Sequence, residues 1–311
     1  GKTGYADIRC SGGNMTEAEI VTAEYDSETG SLVGTNVTCQ VDAQGCVEVF
    51  CDEGVVIDYI FCDGAEITGI DVKNPENIEI LSLEHNKLQS MDLSEYTGLS
   101  ALYLGDNPFD VKPLIVGPNK PNLQILNLPM IDNIDIGFDI SSYTNLQSFT
   151  AYNTPSLVHL NPSGCPNLLQ LSIDNTSVSG LDLRNNGKLR VLNISETRIE
   201  QIDLTPCKNL QQFYATHRSA FNSDIKLKSL DVTCCPNLIY LAVSGNNLTS
   251  VDLSKCTALR DIYLNWNRLT SLDLSNNKEL VNVFIDNNYM DFNTLPVPEP
   301  TWGEYSLNQR T

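Results

Sequence analysis

Leu238, Leu259 and Leu280 stand 21 residues apart, as do Asn246, Asn267 and Asn288, and Asp252 and Asp273 keep the same interval. A fixed short period constrains a chain strongly. Each repeat is too small to bury its own apolar face, so successive repeats must stack into a solenoid. The frame runs back through units opening at Ile57, Ile78, Leu99, Leu123, Leu146, Leu168, Leu189 and Leu210. The unit opening at Leu99 carries a Pro-rich insert around residues 108–121, and the one opening at Leu210 carries an insert near residues 218–226. Insertions of this kind map to loops at one edge of a solenoid.

Counting from the opening residue, apolar side chains recur at offsets 0, 3, 5, 10, 13 and 15. Leu241 and Val243 alternate like a strand, and so do Val251 and Leu253 around Asp252. Each repeat is therefore expected to hold two short strands facing one another across a thin core. The remaining residues leave no room for a full α-helix.

The pattern LxxLxLxxNxLxxLDLS resembles that of bacterial leucine-rich repeat proteins of the short type, such as internalin-like and Bacteroidetes surface proteins. The resemblance covers roughly residues 36–293, with Thr176 and Thr197 replacing the Asn in two units. It implies a curved, right-handed rod whose LxxLxL strands form a parallel sheet on the concave side, with short strands on the convex side. It also implies non-catalytic binding, usually of proteins and sometimes of glycans, by a bacterial protein that is secreted or held at the cell surface. The Asn ladder of that family is expected to be interrupted mid-rod.

Acidic residues outnumber basic ones 39 to 19, for a net charge of −20. Nucleic acid is a poor partner for such a chain, because binding it requires clustered Lys and Arg. No apolar run reaches the roughly 18 residues of a membrane span. The first residue is Gly1, so the missing signal peptide does not argue against export. No cofactor or metal is assigned, and a monomer is expected.

Three regions follow: an N-terminal cap over residues 1–35, repeats over 36–293 with a degenerate first unit at 36–56, and a C-terminal cap over 294–311. The cap segment Thr16-Glu-Ala-Glu19 reads as a capping box, predicting a short helix at residues 16–25. The Pro-rich run from Leu295 to Pro300 suits the far end of the rod, with Trp302 as its anchor. Cys165, Cys207, Cys235 and Cys256 share an offset with Asn186 and Asn277, predicting one buried column in which thiols act as small hydrophobes. With the first unit opened at Asn36, Cys39, Cys46, Cys51 and Cys62 face inward, leaving a disulfide staple in the cap, with or without Cys10, as an open alternative. Cys234 fits no offset.

Offsets 2, 4 and 6 point out of the concave sheet, and offset 7 lies at its rim. Tyr214, Tyr240, Tyr263 and Phe284 fall there in four consecutive units, with His217 and Trp266 at the rim and Phe221 in the neighbouring insert. Aromatic side chains dominate binding hot spots and also stack on sugars, so these seven residues are the candidate ligand-binding site. The plainer reading is that Tyr suits an exposed strand. Asp63, Glu84, His85 and Asp106 form an acidic group, either a solvated face or a cation site. On the convex side an Asp recurs, as at Asp92, Asp231, Asp252 and Asp273, either bonded to the Ser two residues before it (Ser90, Ser229, Ser250 and Ser271) or lined with calcium. No Ser, Cys or carboxylate forms a nucleophile–base set with His85, His159 or His217. The chain thus reads as a binding module for a protein, alternatively a glycan-binding module or a passive spacer.

Overall fold

The structure is a computed structural model. It describes residues 3–12, 19–26, 31–33, 37–41, 46–51, 53, 55–218 and 226–310. Contacts divide the chain into two units, Gly1–Ser156 and Leu157–Thr311. Each is a β-solenoid built on a parallel sheet, with almost no helix.

In the first unit the parallel rungs are Val55–Phe61, Ile80–Ser82, Ala101–Tyr103, Ile125–Asn127 and Ser148–Thr150. Ile60, Leu81, Leu102, Leu126 and Phe149 lie in register across these strands, and all are buried. In the second unit the rungs are Gln170–Ser172, Val191–Asn193, Gln212–Tyr214, Tyr240–Ala242, Asp261–Tyr263, Asn282–Phe284 and Glu304–Ser306. Leu171, Leu192, Phe213, Leu241, Ile262 and Val283 form the matching buried column. The 21-residue repeat exists because each unit contributes one apolar layer to this column and one to the opposite wall.

The last rung lies beyond the repeats seen in the sequence. Glu304–Ser306 pairs in parallel with Asn282–Phe284, and Trp302 is buried where the other units place their opening Leu. Gln309 takes over the Asn position: its Nε2 donates to the carbonyls of Ile285 and Leu307, and its Oε1 accepts from the N–H of Met290.

The N-terminal region departs from the sequence reading in two ways. Glu19–Asp26 is a strand, antiparallel to Thr3–Gly12, which in turn pairs antiparallel with Val55–Phe61. The expected helix is absent from residue 19 onward because Ile20, Val21 and Thr22 are β-branched. Residues 16–18, its start, lie outside the described residues. Val37–Val41 is not a rung of the parallel sheet but the partner of Cys46–Cys51 in a hairpin. Cys46–Cys51 alone takes a repeat-like place, parallel to Gly69–Val72, with Val47 opposite Ile70. The frame opened at Asn36 had put Val49 there, two residues away. The staple through Cys10, Cys39 or Cys51 rests on side chains outside the described residues; Cys62 is buried and Cys46 partly so.

On the opposite wall the expected second strand is present at Gly69–Val72 and in the parallel pair Met91–Asp92 and Leu114–Ile115. In the second unit the same offsets lie outside any strand. The turn that follows is bonded alike in both units. The carboxylate of Asp252 accepts from the N–H of Ser254 at 2.9 Å, and the carbonyl of Leu253 accepts from the N–H of Cys256 at 3.0 Å. The Asp partner is the residue two positions after it, not the Ser two before. Asp92, Asp139 and Asp231 follow the same rule with Ser94, Ser141 and Thr233. Hydrogen bonds from the Ser254 hydroxyl and N–H hold Asp252 below the usual carboxylate range.

The turn column is buried throughout. It holds Tyr96, Lys120 and Tyr143 in the first unit, and Cys165, Asn186, Cys207, Cys235, Cys256 and Asn277 in the second. The Sγ of Cys256 lies 3.2 Å from the carbonyl of Val232, and burial pushes its thiol up to about 12. Cys234 sits beside this column, half-exposed, with its Sγ 3.6 Å from that of Cys235.

Candidate ligand-binding face

Sheet register brings four of the predicted site residues together in the second unit. Tyr214, Ala242, Tyr263 and Phe284 occupy equivalent positions on adjacent rungs. Tyr240, two residues before Ala242, leans into the space that this small side chain leaves. The rings then form one stack, with centroids 4.9 Å apart for Tyr214 and Tyr240, 5.4 Å for Tyr240 and Tyr263, and 5.1 Å for Tyr263 and Phe284. Ala242 points out of the core yet is only 6% exposed, because the rings cover it. Burial raises the pKa of Tyr240, and its neighbours Tyr263 and Tyr214 add to the shift. All four rings are half-buried.

The rim is built from left-handed residues. His85, Asp106, Met130, Asn153, Asn175, Glu196, Gly245, Trp266 and Asn287 share one offset, and all have positive φ. That conformation suits Gly and Asn and is strained for a bulky side chain. Trp266, at φ 57, is the largest residue in the column and is 48% exposed. Nothing in the core requires an indole there.

His217 is the member of the column that breaks the rule. It is absent from the positive-φ set and buried. Its carbonyl turns toward the next rung, where a Cβ on Gly245 would lie 1.8 Å from the oxygen. Only glycine fits at 245, and the chain leaves the ladder at this point to begin the insert. Burial pushes the pKa of His217 down, against the pull of Glu196, whose carboxylate lies 3.7 Å from Nδ1. His217 therefore forms a neutral wall of the site and not an exposed contact. Phe221 lies outside the described residues.

Where the insert leaves and rejoins the rungs, a groove of about 880 Å³ opens. Its walls include His217, Gly245, Tyr263, Asn265 and Trp266, together with Arg218, Lys226, Arg268, Tyr289 and Arg310. The guanidinium of Arg310 lies 5.0 Å from the Trp266 ring centroid and 5.5 Å from that of Tyr289, a cation–π arrangement that fixes both. Sequence reading missed these last residues. Arg268 and Tyr289 follow the ladder Asn directly, a column that could have been read as rim. Arg310 required extending the repeat into the segment taken as a cap.

The remaining candidates are internally satisfied. Asp63 accepts from the N–H of Glu84 and the hydroxyl of Ser82, and Asp106 pairs with His85 at 2.9 Å. Glu84 accepts from Asn127 at 2.9 Å, while burial and the nearby Asp63 raise its pKa. Asp261 and Asp286, on neighbouring rungs, each accept an amide proton, from Asn282 and Asn265. Among the described residues, no group of three His, Cys, Asp or Glu side chains is placed to hold a metal ion.

No family model matches the chain, and no curated protein matches it in sequence. Solved structures do. An internalin, InlF, from Listeria monocytogenes superposes with a TM-score of 0.58 at 17% identity, over 80% of each chain. The functional domain of InlJ from the same organism, which includes a cysteine ladder, gives 0.45 at 19% identity, over 79% of this chain and 73% of its own. Internalin C2, also from L. monocytogenes, gives 0.41 at 16% identity, over 76% of this chain and 82% of its own. With its 21-residue period, parallel sheet and Asn-bearing turns, the chain has the leucine-rich repeat fold seen in the internalins.

Proposed function

We propose that this chain is a non-catalytic module that binds a protein partner through the outer face of the sheet in its second unit. The observation that carries this reading is the ring stack of Tyr214, Tyr240, Tyr263 and Phe284. Large, rigid, amphipathic side chains concentrated in one patch are the usual source of binding energy in protein interfaces. The geometry of the stack favours a protein over a sugar. Tyr263 and Phe284 are only 8° from parallel at 5.1 Å, so the rings cover each other's faces. A pyranose stacks on a free face, whereas a protein surface also uses ring edges and hydroxyls, which remain available here. The Trp266 face is taken by Arg310 in the same way.

The repeat sets the left-handed backbone of the whole rim column, and the indole of Trp266 is the large exposed side chain that this column presents beside the stack. On the resemblance to bacterial surface repeat proteins, we place the protein outside the cytoplasm, secreted or at the cell surface, as a monomer. No helix among the described residues is long and apolar enough to cross a membrane.

The test is a partner isolated on the wild-type protein and titrated against Tyr263→Ala/Trp266→Ala. Both side chains point out of the core, so circular dichroism is expected to stay within error, while loss of the ring and cation–π contacts lowers stability by only about 1–3 kcal/mol and leaves the variant folded. Affinity is expected to fall by at least about 2 kcal/mol, roughly thirtyfold. Unchanged affinity in a folded double variant would move the site off this face.

A further inference from the structure

The groove beside the ring stack inverts the charge of the molecule. Acidic residues outnumber basic ones 39 to 19 over the whole sequence. Yet the described lining of the groove carries Arg218, Lys226, Arg268 and Arg310 and no carboxylate. Among the described residues, none of these four forms an ion pair within 4.0 Å, unlike Lys87, Arg184, Lys228 and Lys278. Acids beside the groove make other hydrogen bonds: Glu196 accepts from the backbone N–H of Arg218 and faces His217, Asp286 accepts from Asn265 and Asn287, and Asp174, which the Arg218 charge also reaches, accepts from Ser172. Burial pushes the pKa of His217 down, with Glu196 opposing and the Lys226 charge adding to the shift, so the positive charge of the lining is carried by Arg218, Lys226, Arg268 and Arg310.

The groove is also a built feature. It lies where the chain departs from the left-handed column at His217, whose carbonyl closes against Gly245, and Arg218 and Lys226 both line it. Arg310 is held by Trp266 and Tyr289, so its planar fork is fixed before any ligand arrives. Arginines in this state bind carboxylates in a bidentate manner at small entropic cost. In a chain of charge −20 a polyanion is repelled at long range, so only a local concentration of cations can hold one.

We propose that this groove receives an acidic segment of the protein partner, its Asp and Glu carboxylates engaged by Arg218, Lys226, Arg268 and Arg310 beside the ring stack. The inference rests on the protein-binding reading above and names the chemistry of the partner. It takes an acidic peptide in preference to an acidic glycan because the adjoining ring faces are already stacked on one another.

The experiment uses the full chain and a fluorescein-labelled octaglutamate peptide, followed by anisotropy in about 50 mM salt, with an octaglutamine peptide for comparison. The glutamate peptide is expected to bind at least tenfold tighter, and to lose that advantage in about 0.5 M salt as the charges are screened. Arg268→Gln/Arg310→Gln is expected to weaken it at least tenfold. Lys188→Gln/Arg190→Gln, two cations outside the groove, is expected to change it less than twofold. Equal binding of the two peptides, or equal loss in both double variants, overturns the proposal. So does an oligogalacturonate that binds tenfold tighter than octaglutamate, which would make the groove a site for acidic sugars. If Tyr263→Ala/Trp266→Ala loses a natural partner while Arg268→Gln/Arg310→Gln keeps it, the acidic-segment inference fails and the protein-binding reading survives.

Discussion

Two stretches of the second unit solve the same problem differently. Each turn after a sheet rung leaves buried carbonyls and an N–H to be satisfied. Around Asn246, Asn267 and Asn288 one side chain serves all of them. Asn267 donates to the carbonyls of Val243 and Leu264 and accepts from the N–H of Leu248. Asn288 repeats this on Leu264, Ile285 and Leu269. Each of these amides therefore ties its own rung to the one before. Around Thr176 and Thr197 the hydroxyl donates only to its own rung, at Ile173 and Ile194. The ring stack stands on the amide-tied rungs. The lesson is that rings held 5 Å apart need backbones that do not slide, and the amide ladder supplies that stiffness where the proposed contact surface is.

The largest expected effect breaks the ladder itself. Asn267→Ala leaves the buried N–H of Leu248 without its partner and takes one of two amide donors from each of the Val243 and Leu264 carbonyls, which keep Asn246 and Asn288, and should cost about 2–3 kcal/mol in urea unfolding. Thr197→Ala removes a single bond and should cost about 1 kcal/mol. Equal losses would erase the distinction between the two stretches.

A contrast between the two units comes next in size. Lys120 fills the turn column of the first unit, buried, with its Nζ donating to the carbonyl of Leu93 at 2.8 Å. Burial brings its pKa down to about 8, partly opposed by Asp92. An unfolded lysine titrates near 10.4, so between about pH 8 and 10.4 the unfolded chain binds the extra proton and stability rises with pH. The penalty for charging Lys120 is fully present below pH 8. Lys120→Met lacks it, so the stability of that variant relative to wild type should fall by about 2–3 kcal/mol across this window. A pH-independent difference would show that Lys120 keeps an ordinary pKa.

Smaller effects sharpen the picture. Thr197→Asn offers an amide in position to reach the carbonyls of Ile173 and Ile194 and the N–H of Val178, and should stabilise by about 1 kcal/mol. Thiol labelling without denaturant should modify half-exposed Cys234 well before buried Cys207, Cys235 and Cys256. Simultaneous labelling of all four would mean that the column is not closed.

The repeat, its parallel rungs and the buried thiol column were legible because each is written as a side-chain type at a fixed interval. Tyr214, Tyr240, Tyr263 and Phe284 were found by the same counting, since register follows from period. What escaped it was anything that breaks the period. The strand at Glu19–Asp26 obeys β-branching against a good capping motif. The last rung, Glu304–Ser306, substitutes Trp302 for Leu and Gln309 for Asn. The buried state of His217 depends on a change in backbone conformation that only Gly245, one rung away, betrays. The cationic groove was invisible because Arg218 and Lys226, Arg268, and Arg310 belong to three separate segments of an acidic sequence.

Native-state hydrogen exchange compares the two kinds of rung most directly. The amides of Leu248 and Leu269 are held by Asn267 Oδ1 and Asn288 Oδ1 at 3.1 and 3.0 Å. Val178 occupies the equivalent position beneath Thr197, where no side-chain acceptor reaches its N–H among the described residues. All three residues are fully buried, so burial alone gives them equal protection. The account predicts that Leu248 and Leu269 exchange at least about tenfold more slowly than Val178, the equivalent of one charge-free hydrogen bond. Equal rates at the three amides would contradict it.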